Sequence, residues 1–349
     1  MFAKYVSMSV SKEVTIYDIA RELNLSAATV SRSLKDHPAI SDKTKKKIQD
    51  TAKEMGYRSN NFARNLRRQK TNTIGVIVPR LNSTFMSEVI AGMEKVASEA
   101  GYNLIISQSL EMMKKEAINA ITMFNNRVDG LLVSLAYDTD SITHFEPFLN
   151  KHIPLLFFDR VFDQDKYPGI VIDNYRAAYE ITTHLIEQGC RHLFHITGNL
   201  SRNVYADRLK GYQEALADHH LLYNPGHLLI NSLSAQEGKE AARTILQMTS
   251  LPDGIFVAND TCAVSCMLEL MEHGVRIPDD VAFTGFNNDP ISCVVKPKLT
   301  TVHYKGFDMG EIAAQTLISS LHHNHKKSHT IVMPHELIIR QSSVKQANS

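Results

Sequence analysis

The sequence predicts a small all-α helix-turn-helix head followed by an α/β body of two doubly wound parallel-sheet subdomains. Three observations predict this architecture: short capped helical runs fill residues 15–55, strand-like and helical runs alternate over residues 73–286, and the charge changes sign between the two parts. Residues 1–72 carry 15 Lys and Arg against 7 Asp and Glu, whereas the remainder carries 23 against 30. A basic head on an acidic body is typical of a protein whose head binds a polyanion.

The composition limits the class of protein. The 349 residues are 43% apolar and 21% charged, a balance typical of soluble globular proteins. A long apolar run and a signal-peptide core are both absent, so we expect a cytoplasmic protein with no membrane partner. The four cysteines, Cys190, Cys262, Cys266 and Cys293, are spread along a long chain, which is not typical of a disulfide framework. Cys262 and Cys266 lie four residues apart on a predicted helix, and buried free thiols are favoured there over a metal pair.

The head contains three predicted helices with a tight turn between the first two. Residues 15–18 (TIYD) have the spacing of a capping box, and apolar residues then repeat on one helical face. Ser26 is the predicted N-cap of the second helix and Ser41 that of the third, over residues 42–55. This order predicts a helix-turn-helix whose second helix enters the major groove of DNA.

The second predicted helix begins with mostly short side chains. Ser26, Thr29 and Ser31 suit phosphate oxygens, which position a protein without reading base sequence. Arg32 is the one long donor, and its guanidinium suits the N7 and O6 edge of guanine. The alanine pair at 27–28 offers only methyl contacts, for example to thymine. A three-helix bundle with no DNA role is the alternative, and the basic charge of the head argues against it.

Residues 58–72 are a basic, arginine-rich segment between the head and the body. The run NNFARNL allows one or two helical turns, which are marginal in isolation. The composition fits an ordinary linker. It fits equally well a helix that folds only when bound to DNA, with the Leu66 side chain inserted into the minor groove.

The body alternates predicted strands and helices in two successive units. The first unit has four buried parallel strands: TIGVIVP (73–79), YNLIIS (102–107), DGLLVS (129–134) and PLLFF (154–158). The pattern restarts with five more: GIVID (169–173), HLFHIT (192–197), HLLIN (227–231), DGIFVAN (253–259) and VAFTGF (281–286). Two facing units of this kind predict a ligand cleft at the carboxyl ends of their strands.

Polar side chains follow several of these strands. Asp159 and Arg160 come after the fourth strand, Asn259 and Asn287 after the last two, and Arg208 lies on the helix after HLFHITG. Carboxylate, amide and guanidinium groups form paired hydrogen bonds with sugar hydroxyls, so the pattern predicts a site for a sugar-like ligand. Arg160 and Arg202 add positive charge nearby, so a sugar acid or a sugar phosphate also remains a candidate ligand.

Motifs of catalysis are absent. The sequence has no GxGxxG after a strand, no Walker A motif, no GxSxG and no HExxH, so we expect neither an enzyme nor a cofactor. We also expect no metal site; an exposed surface tract is the interpretation of His322, His323 and His325.

The runs VTIYDIARELNLSAATVSR, ISDKT, GYRSNNFARNL and TNTIGVIVP resemble the signature of the LacI/GalR (lactose-repressor/galactose-repressor) family of bacterial regulators, and the likeness extends over nearly the whole chain. The resemblance implies a hinge helix at 60–67 with Leu66 as the wedge, and a periplasmic-binding-protein-like body. Two departures lie in the DNA-binding part: Ser59 stands where the family usually has proline, and the alanine pair stands where many members have long polar residues. A third is Asn287, where the family often has aspartate.

The residues expected to contact DNA lie in the head and hinge; they are Thr15, Tyr17, Ser26, Ala27, Ala28, Thr29, Ser31, Arg32, Tyr57, Asn60, Ala63 and Leu66. The residues expected to contact the effector are Phe85, Asp159, Arg160, Arg208, Asn259 and Asn287. Phe85 replaces the last aromatic residue of the usual NPFF, and it suits a sugar face and a core position equally.

The predicted division is a helix-turn-helix domain (1–58), a hinge helix and linker (59–72) and an effector-binding and dimerisation domain (73–349). The last comprises an N-subdomain (about 73–168 plus 301–333) and a C-subdomain (about 169–300 plus 334–345). By resemblance the homodimer surface runs along 87–100 and around 289–302.

We therefore expect a dimeric, sequence-specific regulator that binds a palindromic operator in double-stranded DNA, represses carbohydrate-utilisation genes and responds to a sugar-like effector. The alternatives are an effector that acts as a co-repressor, a non-sugar metabolite as effector, and a solute-binding protein. The solute-binding alternative does not account for the basic head.

Overall fold

The computed structural model describes residues 14–57, 70–163, 166–322 and 329–345, which divide into two units between Thr71 and Asn72. The expectations for Ser59, Asn60, Ala63, Leu66, His323 and His325 lie outside the described residues. Within the described ranges, no helix has the length and apolar character needed to cross a membrane.

The head consists of α1 (Ile16–Glu22), α2 (Ala27–Ser33) and α3 (Asp42–Glu54), as the sequence predicts. The predicted caps form. The Thr15 amide donates to Asp18 Oδ2 at 2.9 Å, and the Ser26 hydroxyl accepts the Thr29 amide at 3.1 Å. Helices this short are marginal in isolation, so they depend on a shared core, whose fully buried members are Ile19, Val30 and Ile48.

The body contains strands and helices in alternation. Its strands are β1 (Thr73–Val78), β2 (Asn103–Gln108), β3 (Gly130–Val133), β4 (Leu155–Phe158), β5 (Gly169–Ile172), β6 (Leu193–Thr197), β7 (Leu228–Ile230), β8 (Gly254–Val257), β9 (Ala282–Thr284), β10 (Thr301–His303), β11 (Ile331–Met333) and β12 (Glu336–Ile338). Its helices are α4 (Thr84–Glu99), α5 (Met113–Asn125), α6 (Glu146–Asn150), α7 (Asn174–Glu187), α8 (Asn203–Asp218), α9 (Ala235–Leu246), α10 (Asp260–Glu272), α11 (Ile291–Val294) and α12 (Gly306–His322).

The strands form two parallel sheets, each the centre of one lobe. The sheet of the first lobe has the order β11-β5-β4-β3-β1-β2, and that of the second lobe has the order β7-β6-β8-β9. A short antiparallel pair, β10 with β12, completes the set. All the ladders within the two large sheets are parallel, so their carboxyl ends carry the connecting loops on one side of each sheet.

The strand pattern predicts GIVID (169–173) as part of the second subdomain, and the structure corrects this. β5 pairs with β4 and β11 and therefore belongs to the first sheet. All four of its residues are buried, as in a central strand of either sheet, so hydrophobicity alone does not indicate which sheet such a strand joins. The second sheet begins at β6.

The apolar side of α4 packs against α12 through close backbone contact. A Cβ atom at Gly92 would overlap the Phe307 carbonyl, and one at Gly310 would overlap the Val89 carbonyl. This close approach covers most of the apolar side of α4 within the chain itself. Several exposed apolar residues of the first lobe lie instead on β2 and α5, namely Ile105, Ile106, Ile118 and Ile121, and Val332 on β11 is exposed as well.

Substituting Gly310→Ala tests the close crossing of α4 and α12. The added methyl group meets backbone that cannot rotate away, so we expect a net loss of about 2 kcal/mol or more in the free energy of unfolding, despite the better helix propensity of alanine. Gly226→Ala is the matched control, because its methyl group meets only the Asn224 side chain. Urea denaturation measures both. Equal stability of the two variants would contradict the crossing.

Candidate functional site

Five of the nine predicted DNA-contacting residues that the structure describes are exposed in the head, including Thr15 and Ser26. Tyr17, Ala28 and Arg32 are exposed on α1 and α2. The Ser26 hydroxyl caps α2 through the Thr29 amide, so part of its hydrogen-bonding capacity is used within the helix.

Two predicted DNA contacts face the interior of the head instead. Ala27 and Tyr57 pack against the Ile19–Val30–Ile48 core. Ala28 is therefore the member of the alanine pair that presents its methyl group outward. The periodicity of a seven-residue helix is too short to separate these adjacent positions from sequence.

In the body, one cavity of about 320 Å³ lies between the two lobes, and all six predicted effector residues line it. Further lining residues include Arg80, Glu111, Tyr137, Tyr205, Asp289 and Tyr304. The strand-end signal that identified Asp159 also applies to Tyr137 after β3 and Glu111 after β2, so it would have found them. Arg202, expected to add charge nearby, is buried and donates to the Thr139 carbonyl.

Arg208 is fixed in the second lobe by neutral partners. Its Nε donates to Asn174 Oδ1 at 2.9 Å and its Nη1 to the Ala258 carbonyl at 2.8 Å. Its guanidinium carbon lies 3.5 Å from the centroid of the Phe286 ring. The side chain is therefore oriented by contacts within its own lobe, without a hydrogen-bonded carboxylate.

Asp159 contributes a carboxylate from the first lobe. It follows β4 directly, and the Ser134 hydroxyl lies 3.4 Å from its Oδ2. Burial raises the pKa of Asp159, and the positive charges of Arg160 and Arg208 oppose that shift. The opposing lobes thus bring a carboxyl group and a guanidinium to one cavity, a pairing that suits neighbouring hydroxyls.

Arg160 stands in a different environment. Its Nη1 forms an ion pair with Glu111 at 2.7 Å and its Nη2 donates to the Tyr205 hydroxyl at 3.2 Å. Its guanidinium carbon lies 4.4 Å from the centroid of the Tyr137 ring. Since Glu111 compensates its charge, Arg160 forms a preorganised wall of the cavity.

The two predicted asparagines are partly committed to structure. Asn259 is the N-cap of α10: its Oδ1 accepts the Cys262 amide at 2.8 Å and its Nδ2 donates to the Leu233 carbonyl at 3.0 Å. Asn287 Oδ1 accepts the Tyr304 hydroxyl at 3.0 Å. Both still line the cavity, with reduced capacity for a ligand.

Asp289 supplies a carboxylate that the sequence analysis missed. It lies two residues after Asn287. The position of Asn287 is the one at which the family often has aspartate. Its backbone is held from both sides, because its amide donates to the buried Asp260 at 2.7 Å and its carbonyl accepts the Ser292 amide at 2.8 Å.

Phe85 has both of the roles that the sequence left open. It is 7% exposed and belongs to the core, its ring centroid lies 4.8 Å from that of Tyr304, and it lines the cavity. No group of three or more His, Cys, Asp or Glu residues in the described ranges is arranged to hold a metal ion.

A helix-turn-helix head and a two-lobed body with a polar cleft define a ligand-responsive DNA-binding regulator. Family models agree: residues 15–60 match "Bacterial regulatory proteins, lacI family" and residues 182–343 match the "Periplasmic binding protein-like domain". The chain belongs to the LacI family, since it is also 31% identical to a curated member over 331 residues. It is a sequence-specific transcriptional regulator, and its relatives are named as regulators rather than as enzymes.

Three similar proteins illustrate the likeness. The 31% identical relative is catabolite control protein A of Priestia megaterium. The matched region covers 95% of this chain and 99% of that protein. The ribose operon repressor of Haemophilus influenzae is 29% identical over 94% of this chain and 98% of its own length. A structure of the lac repressor dimer bound to operator and the anti-inducer ONPF superposes with a TM-score of 0.83 at 25% identity, covering 95% and 100% of the two chains.

Arg32→Ala tests the exposed long donor on α2. We expect the preference at one operator position to relax by about 1–3 kcal/mol, while preferences elsewhere persist. Lys47→Ala, on the exposed side of α3, is the control and should weaken binding to all sequences about equally. Competition binding with single-base operator variants measures both. An unchanged preference profile in Arg32→Ala would place base reading elsewhere.

Asp289 makes stability depend on pH. Burial raises its pKa from 3.8 to about 6, Glu88 reinforces the shift, and a hydrogen bond with Asn287 opposes it. The folded state therefore binds an extra proton between these values, and stability falls as the pH rises through them. Asp289→Asn should gain stability relative to the wild type from pH 4 to pH 7, by up to about 3 kcal/mol. Denaturant titrations at several pH values check this; a difference independent of pH contradicts it.

Proposed function

We propose that the chain is a homodimeric repressor of carbohydrate-utilisation genes whose operator affinity is controlled by a sugar-like effector in the cleft. The observation that carries the proposal is the meeting of Asp159 and Arg208 from opposite lobes at one cavity that aromatic Phe85 also lines. Paired hydrogen-bonding groups and an aromatic face suit a polyhydroxylated ring. The names of the two relatives, for a ribose operon and for catabolite control, support the same class of target genes.

The dimer rests on exposed apolar surface. In the first lobe part of this surface is on β2 and α5, where Ile118 exposes 55% of its area. In the second lobe Val294 on α11 exposes 73%, within the expected 289–302 region. Unpartnered apolar residues on both lobes support a second copy of the chain as their partner, and two heads would then read the two halves of a palindrome.

A thermal-shift series with neutral sugars, sugar acids and sugar phosphates tests the effector. A ligand at about 100 times its dissociation constant stabilises the folded state by ~2.7 kcal/mol, which raises the melting temperature by roughly 5–10 °C for a body of this size. Asp159→Asn should abolish the shift, whereas Asp140→Asn, an exposed carboxylate outside the cavity, should retain it. A shift that survives in Asp159→Asn would contradict the site. A response to non-sugar metabolites alone would contradict the effector class.

A further inference from the structure

One segment of the second lobe, residues 199–205, reaches across the cleft at several points. It comprises the loop after β6 and the first turn of α8. Its partners in the first lobe follow the carboxyl ends of β3 and β4. Asn199 Nδ2 donates to the Tyr137 carbonyl at 2.9 Å, and the hydroxyls of Tyr205 and Tyr137 lie 3.0 Å apart. The lobes therefore touch through polar contacts along this side.

Asn203 makes a two-pronged contact within this segment. Its Oδ1 accepts the Val161 amide at 3.0 Å, and its Nδ2 donates to the Asp159 carbonyl at 3.0 Å. The side-chain amide thus pairs with backbone on both sides of Arg160, as a neighbouring strand would. Asp159 has a φ of 56°, a left-handed conformation that is unfavourable for a non-glycine residue. The two bonds help to hold the backbone in that conformation.

We propose that Asn203 is a positioning residue of the cleft, which holds Asp159 of the first lobe and Arg208 of the second lobe in register before an effector binds. It acts on Asp159 through the backbone of 159–161. It acts on Arg208 because both residues belong to α8, five positions apart. An effector then meets a preformed pair, so less conformational freedom is lost on binding. Only this last consequence rests on the proposed effector function.

The other side of the cavity lacks such contacts. Residues 82–86 of the first lobe and 232–235 of the second lobe line the cavity, and among the described residues no hydrogen bond joins these two segments. The Asn203 side thus carries hydrogen bonds between the lobes that these two segments lack.

Asn203→Asp is the sharpest substitution, because it keeps the shape and the acceptor for Val161 but sets an oxygen against the Asp159 carbonyl. Asn203→Ala removes both bonds without repulsion and serves where the aspartate variant folds poorly. The matched control is Tyr179→Phe, which removes a 2.9 Å hydrogen bond to Asp218 within the second lobe.

Pulsed electron-spin distance measurements report the register of the lobes directly. Spin labels at Lys114→Cys on α5 and Lys239→Cys on α9, in the full chain with Cys293→Ser, mark exposed sites on the two lobes. The labelled chain is mixed with an excess of unlabelled chain, so that the measured distance lies within one protomer. We expect the unsubstituted labelled chain and Tyr179→Phe to share one narrow distance distribution, and both Asn203 variants to give a broader and longer one.

Hydrogen exchange of the Val161 amide gives a second readout. We expect the protection of this amide to fall roughly tenfold or more in Asn203→Ala and to stay unchanged in the control Tyr179→Phe. Distances and exchange that stay unchanged in the Asn203 variants would overturn the proposal. Neither measurement uses an effector or DNA, so its failure is distinct from that of the proposed function.

Discussion

The cleft depends on the interactions that hold the buried guanidinium of Arg208 in place. The residue is only 3% exposed, yet its bonded partners, the Asn174 amide and the Ala258 carbonyl, are both neutral. A buried charge without a bonded counter-charge is costly, and polar groups that reach it are attracted more strongly than in water. The cavity is thereby prepared for a polar ligand, and the Phe286 ring beneath the guanidinium keeps the donor group in place.

The two-lobed fold makes this arrangement possible. Parallel strands end at one side of each sheet, so the loops after β3, β4, β6 and β8 bring polar residues to the cavity while the strands behind them stay apolar. Glu111 pairs with Arg160 but not with Arg208, so the two cavity-lining arginines differ in whether a bonded carboxylate compensates their charge. The close contact between α4 and α12 holds the helices of the first lobe together.

Much of this could be predicted from sequence because the relevant signals are local. The caps of the head are set by residues three positions apart, and the strand-end rule identified four lining residues, Asp159, Arg160, Asn259 and Asn287. The placement of β5 could not be predicted, since a fully buried strand fits either sheet. The wall formed by Tyr137 and Tyr205 depends on contacts between residues 68 positions apart. Ala27 and Ala28 are identical neighbours on α2, and only the rotation of the helix decides that Ala27 faces the core and Ala28 faces solvent.

The most direct test of a cleft that controls DNA binding is thermodynamic linkage. The affinity of a compound that stabilises the protein is measured by calorimetry for the free protein and for the protein saturated with operator duplex. Two sites that act on one equilibrium must change each other's affinity by the same factor, typically 5–150-fold. We predict a difference in this range between the two affinities, matched by the change in operator affinity. Equal affinities for the free and the DNA-bound protein would contradict the account.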